Sequence, residues 1–472
     1  MANPTHVAII GAGPGGYPAA FLAADLGMQV TLIDEEKNPG GVCVYRGCIP
    51  SKALLHVAKV MDEAKHADLF GVTFAKPDVN LDNLRGFKDG VVAKMTGGTG
   101  LLVKSRKIRY LQGRATIVDP HTFSVALQGG GEEQVTFDAG ILATGSRPAT
   151  LPGVTLGPDR LLDSTSALDL PNVPASLLVV GGGYIGLELG SVYAALGTKV
   201  SVVEMLPGLL PGADRDLVKV LAARIETICE SVMLSTKVAR MAEVPGGVQV
   251  TFEASDGKTS EKTYEKVLVS IGRKPNGSVP GLERTKVEVD RKGFITVDAQ
   301  RRTAEPSLYA IGDVAGEPML AHKATYEAKI AVEAIAGHKV AYEPRAIPAV
   351  VFTDPELAWA GLTESEAERD QIPYEVARFP WGASGRATSI GRIDGLTKIL
   401  FDPKTERVLG VGIVGSGAGE LIAEGTLAIE MAAVATDLAM TIHSHPTLSE
   451  TVMESAEAFF GHATHMYRPK RK

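Results

Sequence analysis

Apolar positions along the chain gather in short runs of strand length, several of them ending on glycine. His6–Ile10 (H-V-A-I-I) leads directly into G11-A-G-P-G-G16. A stretch rich in Ala and Leu with helical character follows over Pro18–Gly27, and a second apolar run, Gln29–Ile33, ends at Asp34. The same order returns later: Ser176–Val180, then G181-G-G-Y-I-G186, a helical stretch to about Gly197, the run Lys199–Val203, and Glu204. In both copies the acid stands 18 residues after the last glycine. Strand, glycine turn, helix, strand and acid are the parts of a dinucleotide-binding unit. The glycines give a tight turn and close approach to a pyrophosphate, the helix N-terminus offers free N–H groups, and the acid accepts from a ribose hydroxyl. Each copy is closed farther on by a similar segment, A139-G-I-L-A-T-G-S-R-P148 and K266-V-L-V-S-I-G-R-K-P-N276. The pattern therefore predicts two dinucleotide sites. An acid at Glu204 would repel a 2′-phosphate, so the second site should prefer NAD to NADP.

Beyond about residue 346 the pattern changes. I347-P-A-V-V-F-T-D-P-E-L-A is followed by strand-like runs at Lys398–Phe401 and Val408–Ile413, then helical runs at Glu420–Ala435 and Ser449–Phe460. A length of 472 residues agrees with about three domains. The longest apolar runs, such as Leu177–Val180, are too short to span a membrane. With 45 % hydrophobic and 22 % charged residues the chain reads as an ordinary soluble protein, and a net charge of −7 argues against a nucleic-acid partner. The basic end Arg468–Lys472 reads as a solvated tail. Met1–His6 has neither a basic nor an apolar leader segment, and three cysteines are far from a secreted disulfide framework, so a cytoplasmic, reducing setting is expected.

The chemistry concentrates in G40-G-V-C-V-Y-R-G-C-I-P-S-K52, which places Cys43 and Cys48 five residues apart. In a regular helix that spacing separates the Cα atoms by about 8–9 Å, whereas a disulfide tolerates about 4.4–6.8 Å. If the pair bridges, the backbone must be irregular there, and Gly47 and Pro50 permit it. A strained, accessible disulfide is the labile kind, which suits redox work. Zinc sites want shorter spacings and further ligands nearby, so no metal is expected. Between two dinucleotide sites, the simplest chemistry is electron flow between a nicotinamide and the dithiol, with a flavin between them. Cys229 reads as an inert buried thiol, and Trp359 and Trp381 as core or interface aromatics.

Taken together these motifs resemble the FAD-dependent pyridine nucleotide–disulfide oxidoreductases, and among them the dihydrolipoyl dehydrogenases, over essentially the whole chain. Y309-A-I-G-D-V-A-G316 is similar to the second flavin motif of that family, M319-L-A-H-K-A324 follows at the expected place, and H443-S-H-P-T-L-S-E450 matches its His-Pro-Thr signature. The resemblance implies an α/β fold of two Rossmann-like doubly wound nucleotide-binding domains plus a C-terminal α+β dimerisation domain. It places an FAD-binding domain with the redox disulfide at 1–145, an NAD-binding domain at 146–276, a central segment completing the FAD site at 277–345, and the dimerisation domain with the catalytic His at 346–472. FAD would meet Gly11, Gly13, Gly15, Gly16, Asp34, Glu35, Gly40, Gly41, Val42, Cys43, Lys52, Ala115, Thr144, Gly145, Gly312, Asp313, Met319 and Ala321. NAD would meet Gly181, Gly183, Tyr184, Ile185, Gly186, Glu204, Val238, Gly272 and Arg273.

By the same resemblance, Cys43 attacks the substrate and Cys48 lies against the flavin as a thiolate. Lys52, paired with Glu188, stabilises negative charge on the reduced flavin. His445, oriented by Glu450, is the base and reaches the partner subunit's disulfide; His443 is structural. The implied reaction oxidises protein-bound dihydrolipoamide and reduces NAD⁺. The implied assembly is a homodimer serving lipoyl domains and the acyltransferase core of 2-oxoacid dehydrogenase complexes, or the glycine cleavage lipoyl carrier. Tyr184 departs from the aliphatic residue usual in dihydrolipoyl dehydrogenases and resembles the Tyr of glutathione reductases. The alternatives are an NAD(P)H-linked reductase of another small disulfide such as glutathione disulfide, and a non-catalytic docking component.

Overall fold

The structure, a computed structural model, describes residues 5–467; the basic end Arg468–Lys472 and residues 1–4 lie outside it. The N-terminal unit contains β1 (His6–Ile10), α1 (Gly16–Asp25), β2 (Gln29–Asp34), α2 (Gly41–Arg46), α3 (Cys48–Lys65), α4 (Leu81–Ser105), β3 (Arg109–Asp119), β4 (Thr122–Leu127), β5 (Glu132–Thr136) and β6 (Ala139–Leu142). Its parallel strands are covered on both faces, which is why they read as unbroken apolar runs; Val7, Ala8 and Ile9 are fully buried. The buried face of α1 is made of Ala19, Ala20 and Ala23, small enough to let this helix pack closely on strand and helix neighbours.

The chain crosses to the second unit through β7 (Ser146–Pro148) and runs through β8 (Leu161–Leu162), β9 (Ser176–Val180), α5 (Tyr184–Ala195), β10 (Lys199–Val203), α6 (Arg215–Ile228) and β11 (Ser231–Met233). An antiparallel ribbon of β12 (Thr236–Val244), β13 (Gly247–Ala254) and β14 (Thr259–Tyr264) precedes β15 (Lys266–Val269), and the parallel sheet order is β11-β10-β9-β15-β8. The chain leaves through β16 (Arg273–Pro275), which pairs antiparallel with β7, so both crossings lie side by side. β17 (Leu308–Ala310) then joins the first sheet, giving β17-β6-β1-β2-β3-β4-β5, and α7 (Ala321–Ile335) packs on α1.

The C-terminal unit is an antiparallel sheet of β18 (Ala349–Val351), β19 (Glu356–Gly361), β20 (Glu375–Pro380), β21 (Leu396–Phe401) and β22 (Val408–Gly415), in the order β18-β19-β22-β21-β20. It carries α8 (Glu364–Asp370), α9 (Gly385–Ser389), α10 (Ala418–Glu430), α11 (Ala435–Met440) and α12 (Glu450–Phe459). Trp381 is fully buried in this unit; its Nε1 donates to Thr397 Oγ1 at 3.0 Å. A Cβ at Gly395 or Gly415 would fall 2.3 or 2.4 Å from its ring, so the two glycines make room for the indole. The single helix expected over Glu420–Ala435 is instead two. α10 stops at Glu430 because Ala433 and Ala435 turn aside to bond the edge at Glu406–Val408: Val408 N–H donates to Ala433 O and Ala435 N–H to Glu406 O, both at 2.9 Å.

One buried cation joins the second and C-terminal units. Lys398, fully buried, places Nζ 2.6 Å from Asp214 Oδ2 and 2.9 Å from Asp216 Oδ1, and also meets Glu364. These are the only three acids clustered closely enough for a metal among the described residues, and the ammonium sits among them. Burial alone would raise the Asp216 carboxyl, but Lys398 and Arg378 hold it below its ordinary range. No helix of the described residues is long and apolar enough to cross a membrane.

Candidate active site

The two glycine loops are built alike. Gly11 N–H donates to Ile33 O at 2.8 Å and Gly181 N–H to Val203 O at 2.9 Å, so each loop leaves its first strand bonded to the end of the second. The acid that ends the second strand then closes the loop. Asp34 accepts from the N–H groups of Ala12 (2.6 Å) and Glu36 (2.9 Å); Glu204 accepts from those of Gly182 (2.7 Å) and Leu206 (2.8 Å). Burial pushes the Asp34 carboxyl up, with the Ala12 N–H and Arg46 opposing.

A crevice of about 350 Å³ runs from Asp34 and Glu35 past Gly11, Gly13 and Gly15 to Gly41, Val42, Cys43, Cys48 and Lys52. Thr144, Gly145, Tyr184, Ile185, Glu188, Arg273, Gly312, Asp313, Met319 and Ala321 line its other walls. Its floor is bare backbone. A Cβ on Gly41 would fall 2.4 Å from Gly13 Cα, and one on Gly16 would fall 1.7 Å from Gly11 O. An acid at one end, a glycine-only middle at a helix N-terminus and thiols at the other end fit an extended dinucleotide with a redox-active ring.

The thiols are brought together by Gly47, which separates α2 from α3. A side chain there would meet Val42 O at 2.9 Å and Cys43 Cα at 3.2 Å, so only glycine lets the chain fold back this tightly. The two thiols face each other, Cys43 half-buried and Cys48 exposed, and share a hydrogen bond. That hydrogen bond draws the Cys48 thiol down to about 7; burial opposes it and the Lys52 ammonium assists. As the first residue of α3, Cys48 also faces the positive end of the helix. Cys43 moves the other way: donating to Cys48, together with burial, pushes its thiol far up.

Lys52, one turn along α3, places Nζ 2.8 Å from Glu188 Oε2 and 4.5 Å from the Phe352 ring centroid. Glu188 Oε1 accepts from Phe352 N–H at 2.9 Å. A nearly fully buried carboxylate from the second unit thus ties α3 to the strand entering the C-terminal sheet. Tyr184 lines the same crevice, and burial pushes its hydroxyl up to about 12.

His445 and Glu450 form a pair of their own. Glu450 Oε1 lies 2.8 Å from His445 Nδ1, and Oε2 accepts from Thr447 N–H at 2.8 Å. Burial would raise the Glu450 carboxyl, but the Thr447 N–H and His445 outweigh it and hold it low. The His445 side chain is 70 % exposed, and neither residue lines this chain's crevice. His443 is differently placed: its buried ring lies 2.7 Å from Glu424 Oε1 and 2.8 Å from Thr441 O.

Other expected contacts also lie off the crevice wall. Ala115 is buried inside β3, Gly40 and Gly16 support the floor from behind, and Val238 sits on β12. Gly181, Gly183, Gly186, Glu204 and Gly272 belong to the second loop and its surroundings. A Cβ at Gly183 would meet nothing within 4 Å, which leaves the mouth of that loop open.

Several participants escaped the sequence reading. Ser146 Oγ donates to Asp313 Oδ2 at 2.5 Å and accepts from Arg273 Nε at 2.7 Å. Behind Gly312, the buried carboxylate of Glu327 accepts from Gly312 N–H at 2.6 Å and meets Lys323 and Arg301. The similarity of A-T-G-S-R-P and I-G-R-K-P-N was visible as a repeat, but not that the two segments pair with each other.

The pyridine nucleotide-disulphide oxidoreductase family model matches residues 5–328, and the dimerisation domain of the same family matches 347–456. The chain belongs to the pyridine nucleotide–disulphide oxidoreductases. Dihydrolipoyl dehydrogenase of Haemophilus influenzae is 48 % identical over 99 % of this chain and 98 % of its own length. That of Geobacillus stearothermophilus is 42 % identical at the same coverage. Among solved structures, LpdA from Mycobacterium tuberculosis superposes with a TM-score of 0.89 at 29 % identity, covering 96 % of this chain and 99 % of that one. The Cu(II) complex of the HOCl-induced flavoprotein disulfide reductase RclA from Escherichia coli gives 0.85 at 25 % identity, covering 97 % and 99 %. In this oxidoreductase the dimerisation domain carries both His445 and Glu450.

Proposed function

We propose that the protein is a homodimeric, FAD-dependent dihydrolipoyl dehydrogenase of the cytoplasm that converts a protein-bound dithiol to its disulfide and NAD⁺ to NADH and a proton. The observation that carries this reading is the placing of Cys43 and Cys48 at the end of the glycine-floored crevice, beside Lys52 and Glu188, in a chain 41–48 % identical to curated dihydrolipoyl dehydrogenases. Bound FAD would supply the two-electron acceptor between dithiol and nicotinamide. Gly11–Gly16, Asp34, Gly41 and Asp313 would hold it, and Gly181–Gly186 with Glu204 would hold NAD.

In the disulfide form of the pair, a substrate thiolate attacks Cys43 Sγ to form a mixed disulfide as the Cys43–Cys48 bond breaks and Cys48 leaves as the thiolate. The second substrate thiolate then closes the substrate disulfide and releases Cys43, leaving the pair reduced. His445 of the partner subunit takes the dithiol proton at Nε2, because Nδ1 is engaged by Glu450. Lys52, held by Glu188, sets positive charge beside the crevice. The physiological dithiols are lipoyl groups carried by 2-oxoacid dehydrogenase complexes or by the glycine cleavage carrier protein.

Steady-state rates with dihydrolipoamide and with glutathione disulfide, each with NAD(H) and NADP(H), test this. The expected result is turnover of dihydrolipoamide with NAD⁺ at least about a hundredfold above the other combinations. A preference for glutathione disulfide, or folded protein carrying FAD that turns over neither, sinks the reading.

A further inference from the structure

Both covalent crossings between the nucleotide-binding units pass through one ribbon, residues 144–149 against 272–276. It is held by Asn276 N–H to Gly145 O (2.9 Å), Ala149 N–H to Gly272 O (3.0 Å), Thr144 Oγ1 to Asn276 O (3.0 Å) and Asn276 Nδ2 to Thr144 O (2.9 Å). Ser146, 4 % exposed, sits on this ribbon between a cation from the returning strand and an acid on the opposite wall of the crevice. Arg273 Nε can only donate, so the Ser146 oxygen must accept from it, and the single hydroxyl proton is left to point at Asp313. Arg273 Nη2 also donates to Ser146 O at 2.8 Å, which fixes the guanidinium along the ribbon. The direction of the chain is therefore set: guanidinium to hydroxyl to carboxylate, each bond polarising the next in a buried setting. Arg273 was expected to serve the second nucleotide; its geometry also aims two of its nitrogens at Ser146, on the wall of the first crevice.

We infer that Ser146 is a positioning residue that carries the charge of Arg273 to Asp313, so that retention of the dinucleotide held beside Asp313 depends on an arginine of the second unit. The inference rests on the reading of the first crevice as an FAD site. Without Ser146, Asp313 loses its hydroxyl donor and Arg273 loses the atom through which it acts on that carboxylate. Threonine keeps the hydroxyl; alanine does not.

The test is FAD affinity of the full-length protein, measured by flavin fluorescence on titrating apoprotein, for wild type, Ser146→Ala, Ser146→Thr, Arg273→Ala and the Ser146→Ala/Arg273→Ala pair. A charge-assisted chain of this kind predicts roughly tenfold or greater loss in Ser146→Ala and in Arg273→Ala. The pair should lose no more than the worse single variant, and Ser146→Thr should stay within about threefold of wild type. An Arg273→Ala variant that binds FAD as wild type does, or losses that multiply in the pair, would overturn the inference. Arg273→Ala alone decides it should Ser146→Ala fail to fold. Wild-type protein that binds no FAD would instead remove the reading of the crevice itself.

Discussion

Cys48 shows how one backbone position decides the chemistry of a pair. Gly47 allows α3 to begin where α2 ends, so the second thiol meets both the first thiol and the helix N-terminus, with Lys52 one turn away. The spacing of the cysteines was legible in the sequence, and the resemblance named Cys48 as the thiolate; the physical cause was not legible, because it follows from the turn and from the helix that begins there. The sign is testable. In Cys43→Ser holoenzyme, a long-wavelength charge-transfer band should accompany the Cys48 thiolate above about pH 7 and fade as the pH falls through it. Cys43→Ala removes the donor that is the largest cause of the lowered pKa, so its band should fade at a higher pH. Cys48→Ser should show no band at any pH. A band in Cys48→Ser and none in Cys43→Ser, followed by absorbance titration, would mean the two roles are reversed.

At the scale of elements, the glycine loops were the most readable part of the chain. Strand length, glycine spacing and the terminal acid are all local properties, and both copies fold to the same bonding pattern. Their acids do more than spacing could reveal. Glu204 holds its own loop closed through Gly182 and Leu206, so it cannot be exchanged for a cation without loosening the loop. Replacing Glu204 by Arg together with Met205→Ala should lower kcat/KM for NADH by roughly 10–100-fold, since two charge-assisted bonds are lost. NADPH use should rise, but not to the wild-type NADH level. Full recovery with NADPH, measured by initial rates, would show that the carboxylate has no hold on the loop. The break between α10 and α11 was illegible for the opposite reason: an Ala-rich run carries no breaker, and the turn is imposed by pairing with a distant strand edge.

At the scale of the whole molecule, the order of units could be followed from the repeats, but partners across space could not. The pairing of β7 with β16, and the placing of β17 in the first sheet, join segments more than a hundred residues apart. His445 belongs to the same class of feature: its imidazole is oriented by Glu450 yet open to solvent on a dimerisation domain. His445→Ala should lower dihydrolipoamide oxidation by roughly 10²–10⁴-fold while NADH still bleaches the flavin. Heterodimers of a Cys43→Ser subunit and a His445→Ala subunit should recover close to half of wild-type activity, because one of their two composite sites is intact. No recovery on mixing would place the base and the dithiol in the same subunit.

The ammonium of Lys398 has a consequence for how such a machine can move. Its three carboxylate partners come from two units, and separating them would strand a charge in a dry interior at a cost of several kcal/mol. The second unit is thus fastened to the dimerisation domain, and any swing of that unit has to break this cluster. Tyr184, on the crevice wall, has no part in that cluster.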